Sequence, residues 1–336
     1  MILVTGGLGY LGSHIALYLM SKGHEVVLVD NLSHASMESL ERLEYITKLY
    51  IPFIRLDVRN TPALQKVFEQ YPIDYVIHCA GFKSLSESAH KPLEYYNNNL
   101  SCIMSVLRAM LRGGVRRLVN LSSLTVYGAS GTDWKEQDDF QYQHGIPYIR
   151  AQQNIEHILQ DTFKVDDYWQ ILNLRLGNIM GTFTDGKLGE WTQHIPKSVI
   201  QHLFQVIANQ RDVFEIFNQS LDTEDGTAER SYLHVMDMLD ALYKLMLWSN
   251  VQKNFLENFN LCHPELHSLN TLIKKVEDVT SGVIQIQEAV DQVHEFAQLK
   301  GNMDKLNATI SWQAEHNLEK MVQDQWTYYK ASLNGI

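Results

Sequence analysis

The sequence predicts a doubly wound, parallel α/β sheet followed by a smaller, irregular α/β domain. Three observations carry this expectation. Six short apolar runs alternate with helical patterns through the first half of the chain. The runs are rich in β-branched residues and almost unbroken in apolar character, as strands buried on both faces are. A loop with evenly spaced glycines joins the first run to the first helical pattern.

The first run is "MILVT", and "EVVLVD", "FIRLDV", "YVIHCAG", "RLVNLSS" and "ILNLRLG" follow it. Helical patterns fall between them at 12–21, 36–49, 61–71, 93–112 and 148–163. Right-handed crossovers bring all strand C-termini to one edge of such a sheet, and ligands bind there. Past Gly177 the pattern loosens. "GTFTDGKLGEW" reads as loop, "IPKSVIQHLFQVIANQ" as helix, "VFEIFN" as strand and "VMDMLDALYKLMLW" as helix.

Composition narrows the function. The net charge of −11 argues against a nucleic-acid or anionic-membrane surface, although a local pocket can still hold a phosphate. Cys79, Cys102 and Cys262 have neither metal nor disulfide spacing, so free thiols, no metal and a reducing compartment are expected. The chain opens on a strand rather than a charged leader, and no apolar run approaches a bilayer span. A cytoplasmic protein is the expectation.

"VTGGLGYLGSH" places Gly6, Gly9 and Gly12 between the first strand and the first helix. Glycines allow a tight turn and close backbone approach. The helix N-terminus then offers N–H groups and a positive dipole end to a pyrophosphate. An acid, Asp30, ends the second strand, where it would accept from the adenosine ribose hydroxyls. No arginine follows in "DNLSHAS", which favours NAD over NADP. The expected division is therefore a Rossmann-type NAD-binding domain at 1–177 and a substrate domain at 178–336, with room for exchange of elements between them.

Other strand ends carry polar groups. Asp57 ends the third and is placed either to touch the adenine edge or to cap the next helix. In "HCAGFKS", Ala80 and Gly81 are small where backbone approaches a cofactor, and Lys83 is either a cation beside phosphates or a solvated lysine. Ser122 and Ser123 end the fifth strand, set either to bond a substrate hydroxyl or to form a cap. The helix that opens with "YIRAQ" presents Tyr148, a candidate acid/base, with Gln152 four residues on. Arg150 lies about 200° around that helix from Tyr148 and faces away.

The glycine loop, "DNLSHAS", "HCAGFKSLSESAHKPLEYYNNN", "LSSLTVYG" and "TEDGTAERSYLHVMD" together resemble the extended short-chain dehydrogenase/reductase family, in its UDP-hexose 4-epimerase branch. The resemblance implies that NAD interconverts UDP-galactose and UDP-glucose through a 4-keto sugar. Tyr148, aided by Ser123, would take the 4-OH proton. Cofactor positions matching the family are Gly6, Gly9, Tyr10, Leu11, Gly12, Asp30, Asn31, Asp57, Val58, Cys79, Ala80, Lys83 and Asn98. Substrate positions are Asn178, Ser198, Val199, Phe217, Arg230, Gln292 and Glu295. Arg230 reads as a diphosphate clamp, its planar guanidinium suiting phosphate oxygens, or as a surface ion pair. The family further implies a homodimer through helices 93–112 and 148–163, although the apolar face of "IMSVLRAML" would equally suit packing on the sheet.

The sequence departs from the family in several places. Gln152 stands where the family has a lysine that lowers the tyrosine pKa. A shift of two pKa units is worth about 3 kcal/mol, so its loss makes Tyr148 harder to ionise. Gln292 stands where an arginine contacts the diphosphate, and Ser198 where an asparagine faces the sugar. The expectation is a UDP-hexose 4-epimerase with impaired turnover. An NAD-binding protein with a structural or sensing role is the alternative. A sibling nucleotide-sugar reaction is a further one; a dehydratase is discounted because Leu124 and Thr125 follow the serines where acids would be needed.

Overall fold

Seven parallel strands make the central sheet in a computed structural model that describes residues 1–142, 145–166, 168–183, 186–190, 198–289 and 295–333. The chain runs through β1 (Ile2–Thr5), α1 (Tyr10–Ser21), β2 (Val26–Asp30), α2 (Met37–Thr47), β3 (Phe53–Arg55), α3 (Thr61–Gln70) and β4 (Tyr75–His78). It continues through α4 (Leu85–His90), α5 (Pro92–Arg112), β5 (Arg117–Ser123), a 3₁₀ turn (Leu124–Tyr127), β6 (Gly131–Trp134), α6 (Pro147–Val165), β7 (Gln170–Leu176) and β8 (Asn178–Met180). Then come α7 (Val199–Ile207), β9 (Phe214–Ile216), β10 (Glu229–Arg230), β11 (Tyr232–His234), α8 (Val235–Ser249) and β12 (Phe255–Leu261). The last elements are β13 (His267–Ser268), α9 (Leu269–Thr280), β14 (Ile286–Glu288), β15 (Gln298–Gly301), α10 (Asp304–Ile310) and α11 (Leu318–Leu333).

The sheet order is β12-β7-β5-β4-β1-β2-β3. Strand order reverses between β1 and β4, and the crevice at that switch point is where such sheets bind ligands. Alternation along the strands feeds two cores. Ile2, Val4, Val26 and Leu28 pack toward α1, α2 and α8, while Leu3, Val27 and Val29 pack toward α3, α5 and α6. Each such buried aliphatic side chain contributes roughly 1.5–3 kcal/mol, which explains the near-continuous apolar runs.

The last strand of this sheet, β12, comes from the far half of the chain and pairs with β7 from Phe255↔Gln170 to Leu261↔Leu176. "NFLENFNL" mixes polar and apolar residues, because one side of β12 lies at the sheet edge, and its run alone does not announce a buried strand. A mixed sheet of order β13-β10-β15-β6 and two small pairs, β11-β8 and β14-β9, complete the strands. A third core, with Phe204, Phe214, Leu272 and Val322, joins α7, β9, α9 and α11.

Two helix details differ from the periodicity. The first helix starts at Tyr10, two residues earlier than the pattern, because Gly9 is extended (φ −70°, ψ 172°) and serves as its cap. The six-residue α4 has too few turns to show a period. It is set by its cap, Ser84, whose Oγ accepts from the Glu87 N–H at 3.2 Å. No helix among the described residues is long and apolar enough to cross a membrane.

Candidate active site

The glycine loop closes tightly on the switch point. Gly6 has φ +65°, and a Cβ there would stand 2.9 Å from the Ala80 backbone. A Cβ on Gly12 would collide with the Gly6 carbonyl. The first intrahelical bond of α1 is Ser13 N–H to Gly9 O at 2.9 Å. The N–H groups of Tyr10, Leu11 and Gly12 lie ahead of it, at the positive end of the helix. The Tyr10 hydroxyl donates to Gly181 O at 2.6 Å.

One open cleft gathers nine of the thirteen sequence-predicted cofactor residues: Gly6, Gly9, Asp30, Asn31, Asp57, Val58, Cys79, Ala80 and Asn98. Tyr10, Leu11 and Gly12 form the helix end beside it, and Lys83 follows Phe82 at its rim. Asp30 accepts from Leu32 N–H at 2.8 Å and Leu8 N–H at 3.2 Å. Burial raises its pKa against the pull of these amides. Asp57 accepts from Arg59 at 2.6 Å, which lowers its pKa, and the cap of α3 is Asn60 instead. The capping alternative for Asp57 therefore falls away, and the residue lines the cleft. Close backbone at the glycines, unpaired helix N–H groups and an acid at the end of β2 form a cradle that fits an adenine dinucleotide.

Beyond the cleft, three side chains meet. Tyr148, on the first turn of α6, is buried, and the nearby Gln152 and Ser123 side chains favour its ionised form. Ser123 caps the 3₁₀ turn by accepting from Thr125 N–H at 3.2 Å, the capping reading of this serine. Ser122 points to the other face and donates to Glu156 Oε1 at 2.6 Å. Burial raises the Tyr148 pKa; Gln152, Ser123 and the charge of Lys83 oppose it without overcoming it. Arg150 is exposed, on the far side of the helix.

Lys83 is paired, although its side chain is 57% exposed. Its Nζ donates to Glu190 Oε1 at 2.9 Å, and Ser198 Oγ donates to Glu190 Oε2 at 2.6 Å. Sequence reasoning passed over Glu190, which sits in a glycine-bracketed stretch with no periodic or motif signal. Burial raises its pKa, but Lys83 and Ser198 outweigh that and hold it below the ordinary glutamate value.

On the far side, Arg230 is buried on β10. Its Nη1 donates to Phe296 O at 2.7 Å and Glu229 O at 2.8 Å, and its Nη2 to Glu295 Oε1 at 3.2 Å. Three of its five N–H donors are spent on these, leaving two. Asn178 is exposed at the start of β8, Val199 opens α7 behind Ser198, and Phe217 is 40% exposed just past β9. Gln292 lies outside the described residues.

A separate trio, His263, Glu265 and His267, brings its ligand-type atoms within 4.8 Å of one another. His263 Nδ1 accepts from the Glu265 N–H at 3.1 Å, which leaves the proton of the neutral ring on Nε2 and no outward lone pair there. The trio's chemistry is poorly suited to a cation.

The NAD dependent epimerase/dehydratase family matches residues 2–262. The chain belongs to that family. Among its relatives, UDP-glucose 4-epimerase of Neisseria meningitidis serogroup C is 34% identical over 335 residues, 99% of this chain and 98% of that one. UDP-glucose 4-epimerase of Bacillus subtilis (strain 168) is 33% identical over 99% of this chain and 98% of its own. Among solved structures, UDP-glucose 4-epimerase from Bifidobacterium longum in complex with NAD+ and UDP superposes with a TM-score of 0.95 at 30% identity. That match covers 100% of this chain and 99% of the other. A Stenotrophomonas maltophila UDP-glucose 4-epimerase with bound NAD and formylated UDP-arabinopyranose gives 0.93 at 30% identity over the same shares. The family resemblance drawn from the motifs thus extends along the whole chain.

Proposed function

We propose that this chain inverts C4 of UDP-hexoses, interconverting UDP-galactose and UDP-glucose, with NAD as its resident cofactor. One observation carries the reading: a buried Tyr148 shares a packed cluster with Phe82, which lines a cleft shaped for a dinucleotide. NAD, when bound, supplies the acceptor and donor of the C4 hydride. Gly6, Gly9 and the N–H groups of Tyr10, Leu11 and Gly12 would hold its pyrophosphate, and Asp30 and Asp57 its adenosine. Tyr148 Oη takes the proton of the 4-OH and returns it to the same sugar oxygen. Ser123, at the end of β5, assists that transfer. Asn178, Ser198, Val199, Phe217, Arg230 and Glu295 line the nucleotide-sugar side, with Arg230 offering its remaining donors to the diphosphate. In this reading residues 1–177 serve the cofactor and 178–336 the sugar. The chain works in the cytoplasm as a homodimer, through α5 and α6, where Leu93 is 78% exposed.

The test is to incubate purified protein with UDP-galactose and follow UDP-glucose, measuring bound NAD on the same sample. Conversion supports the reading; no conversion from pH 7 to 10 by a protein holding NAD overturns it. A second reading, an NAD-binding protein without turnover, draws on the raised pKa of Tyr148 and the uncharged Gln152 beside it. It predicts full NAD occupancy with no product at any pH.

A further inference from the structure

A helix begins with backbone N–H groups that have no carbonyl of the helix behind them. In α6 these belong to Tyr148 and Ile149, since Pro147 has no N–H and the first bond runs from Arg150 N–H to Ile146 O at 3.2 Å. Ile146, the cap residue, has no side-chain acceptor to offer them. The acceptor for Tyr148 comes from another helix: its N–H donates to Ser88 Oγ, on α4, at 3.2 Å. We propose that Ser88, a cap lent by α4, holds the backbone of Tyr148 at the site and is thereby a positioning residue for its chemistry. This deepens the epimerase reading and rests on it for the reaction served.

The hydroxyl is set for this task. Ser88 is fully buried, and its one proton is spent on Leu85 O at 2.6 Å, so it meets Tyr148 as an acceptor. Serine is among the favoured cap residues, because its short side chain brings an oxygen close to the orphan N–H groups. Here the cap stands 60 positions before the residue it serves. It is therefore a tertiary contact that ties two helices, and not a local turn.

The helix that lends the cap is itself rooted in the wall of the cofactor cleft. Ser84 caps α4 by accepting from Glu87 N–H at 3.2 Å, and it donates its own N–H to Tyr95 Oη at 3.1 Å. Tyr95 is buried, and its hydroxyl donates to Glu87 Oε2 at 3.0 Å. Two residues before Ser84, Phe82 lines the cleft. Its N–H donates to Asn99 Oδ1 at 2.8 Å, its carbonyl accepts from Asn99 Nδ2 at 3.0 Å, and its ring meets Tyr95 edge-on with centroids 5.4 Å apart. A chain of fixed groups thus runs from the cleft through Ser84 and α4 to Ser88 and the Tyr148 backbone. The tyrosine must meet the sugar hydroxyl while the sugar faces the cofactor, and a misplacement of about 1 Å can cost a rate of order a hundredfold. Ser88 passes no proton to the sugar. It acts through the backbone of Tyr148.

The experiment reads the bond and the reaction separately. Amide hydrogen exchange over 146–152 is followed by mass spectrometry in the full chain, Ser88→Ala and Ser88→Cys, at matched NAD content, beside kcat and KM for UDP-galactose. Ser88→Ala should speed exchange at the start of α6 roughly three- to tenfold. It should lower kcat about tenfold or more, with KM and NAD content unchanged. Ser88→Cys keeps the volume with a weaker acceptor and should move both in the same direction by less. Adding Ile146→Thr to Ser88→Ala gives α6 a cap of its own and should recover both in part. Asn317→Ala removes the cap of α11, where Asn317 Oδ1 accepts from Lys320 N–H at 2.9 Å, and should move neither. Exchange indifferent to both Ser88 variants overturns the proposal. So does faster exchange with kcat unmoved, which would leave Ser88 a support of the fold alone. A parent chain that converts no UDP-galactose from pH 7 to 10, while exchange at Tyr148 follows Ser88, sinks the epimerase reading and keeps the hold of Ser88 on Tyr148. Normal conversion with exchange and kcat both indifferent to Ser88 does the reverse.

Discussion

Arg175 and Glu156 form an ion pair at 2.7 Å, with side chains only 2% and 1% exposed. It joins the end of β7 to the middle of α6, the helix that carries Tyr148. Glu156 also accepts from Ser122 at 2.6 Å, and Arg175 donates to Tyr127 Oη at 3.0 Å and Glu136 O at 3.1 Å. The strand end bearing Ser123 is thus tied from behind to the tyrosine's helix. Removing one partner leaves a buried charge unmatched, which costs about 3–5 kcal/mol. Arg175→Met and Glu156→Gln should each lower the unfolding free energy by that order in urea. Replacing both with apolar residues should cost less than the sum of the two. An additive double-variant cycle would contradict this coupling.

Gln152→Lys should bring the alkaline limb of activity down. Burial holds the Tyr148 pKa above its ordinary value, so the base form is scarce at neutral pH. A cation one helical turn away favours the ionised form and lowers the pKa by about 1–2 units. Turnover of UDP-galactose at pH 7 should rise roughly ten- to a hundredfold, converging with the parent chain at high pH. Equal pH–rate profiles for the two proteins would show that Tyr148 ionisation does not limit the reaction.

The cofactor half of the site was legible because its determinants are local. Gly6, Gly9 and Gly12 follow a strand and open a helix, and Asp30 ends the next strand, so spacing alone places them. Tyr148 and Ser123 were legible as types at strand and helix ends, and the motifs around them gave the family. What was not legible depends on long-range contact. Glu190 meets Lys83 across 107 positions of sequence, and Arg230 meets Glu295 across 65. No period or spacing encodes such a pairing. β12 escaped for the same reason: its partner β7 lies 85 positions away at the Asn173–Asn258 bond, and only tertiary packing makes it the last strand of the sheet.

Acid should destabilise the chain through two histidines held inside it. His14 and His78 are buried, and burial lowers each pKa to about 4. Unfolded, each binds its proton near pH 6.5. Between these values the unfolded chain holds more protons, so stability falls as pH falls. The loss begins near pH 6.5 and is complete by about pH 4, with about 3 kcal/mol from each histidine. His78 Nδ1 bonds Thr5 Oγ1 at 2.7 Å between β4 and β1, where His78→Asn keeps a polar partner but cannot take a proton. That variant should show a shallower fall in urea midpoint between pH 6.5 and 4. Parallel curves for variant and parent would assign the acid sensitivity elsewhere.

Arg230→Lys should weaken substrate binding without touching the cofactor. The guanidinium spends three donors on Glu229 O, Phe296 O and Glu295, and its planar fork leaves two for an anion. An ammonium has three donors in all, so satisfying the same protein acceptors leaves none for a diphosphate. Charged hydrogen bonds are worth about 1.5–3 kcal/mol each. The loss of one or two should raise KM for UDP-galactose at least tenfold while NAD content stays full. Should Arg230→Lys instead lose NAD and keep its KM, Arg230 would belong to the support of the fold and not to the diphosphate.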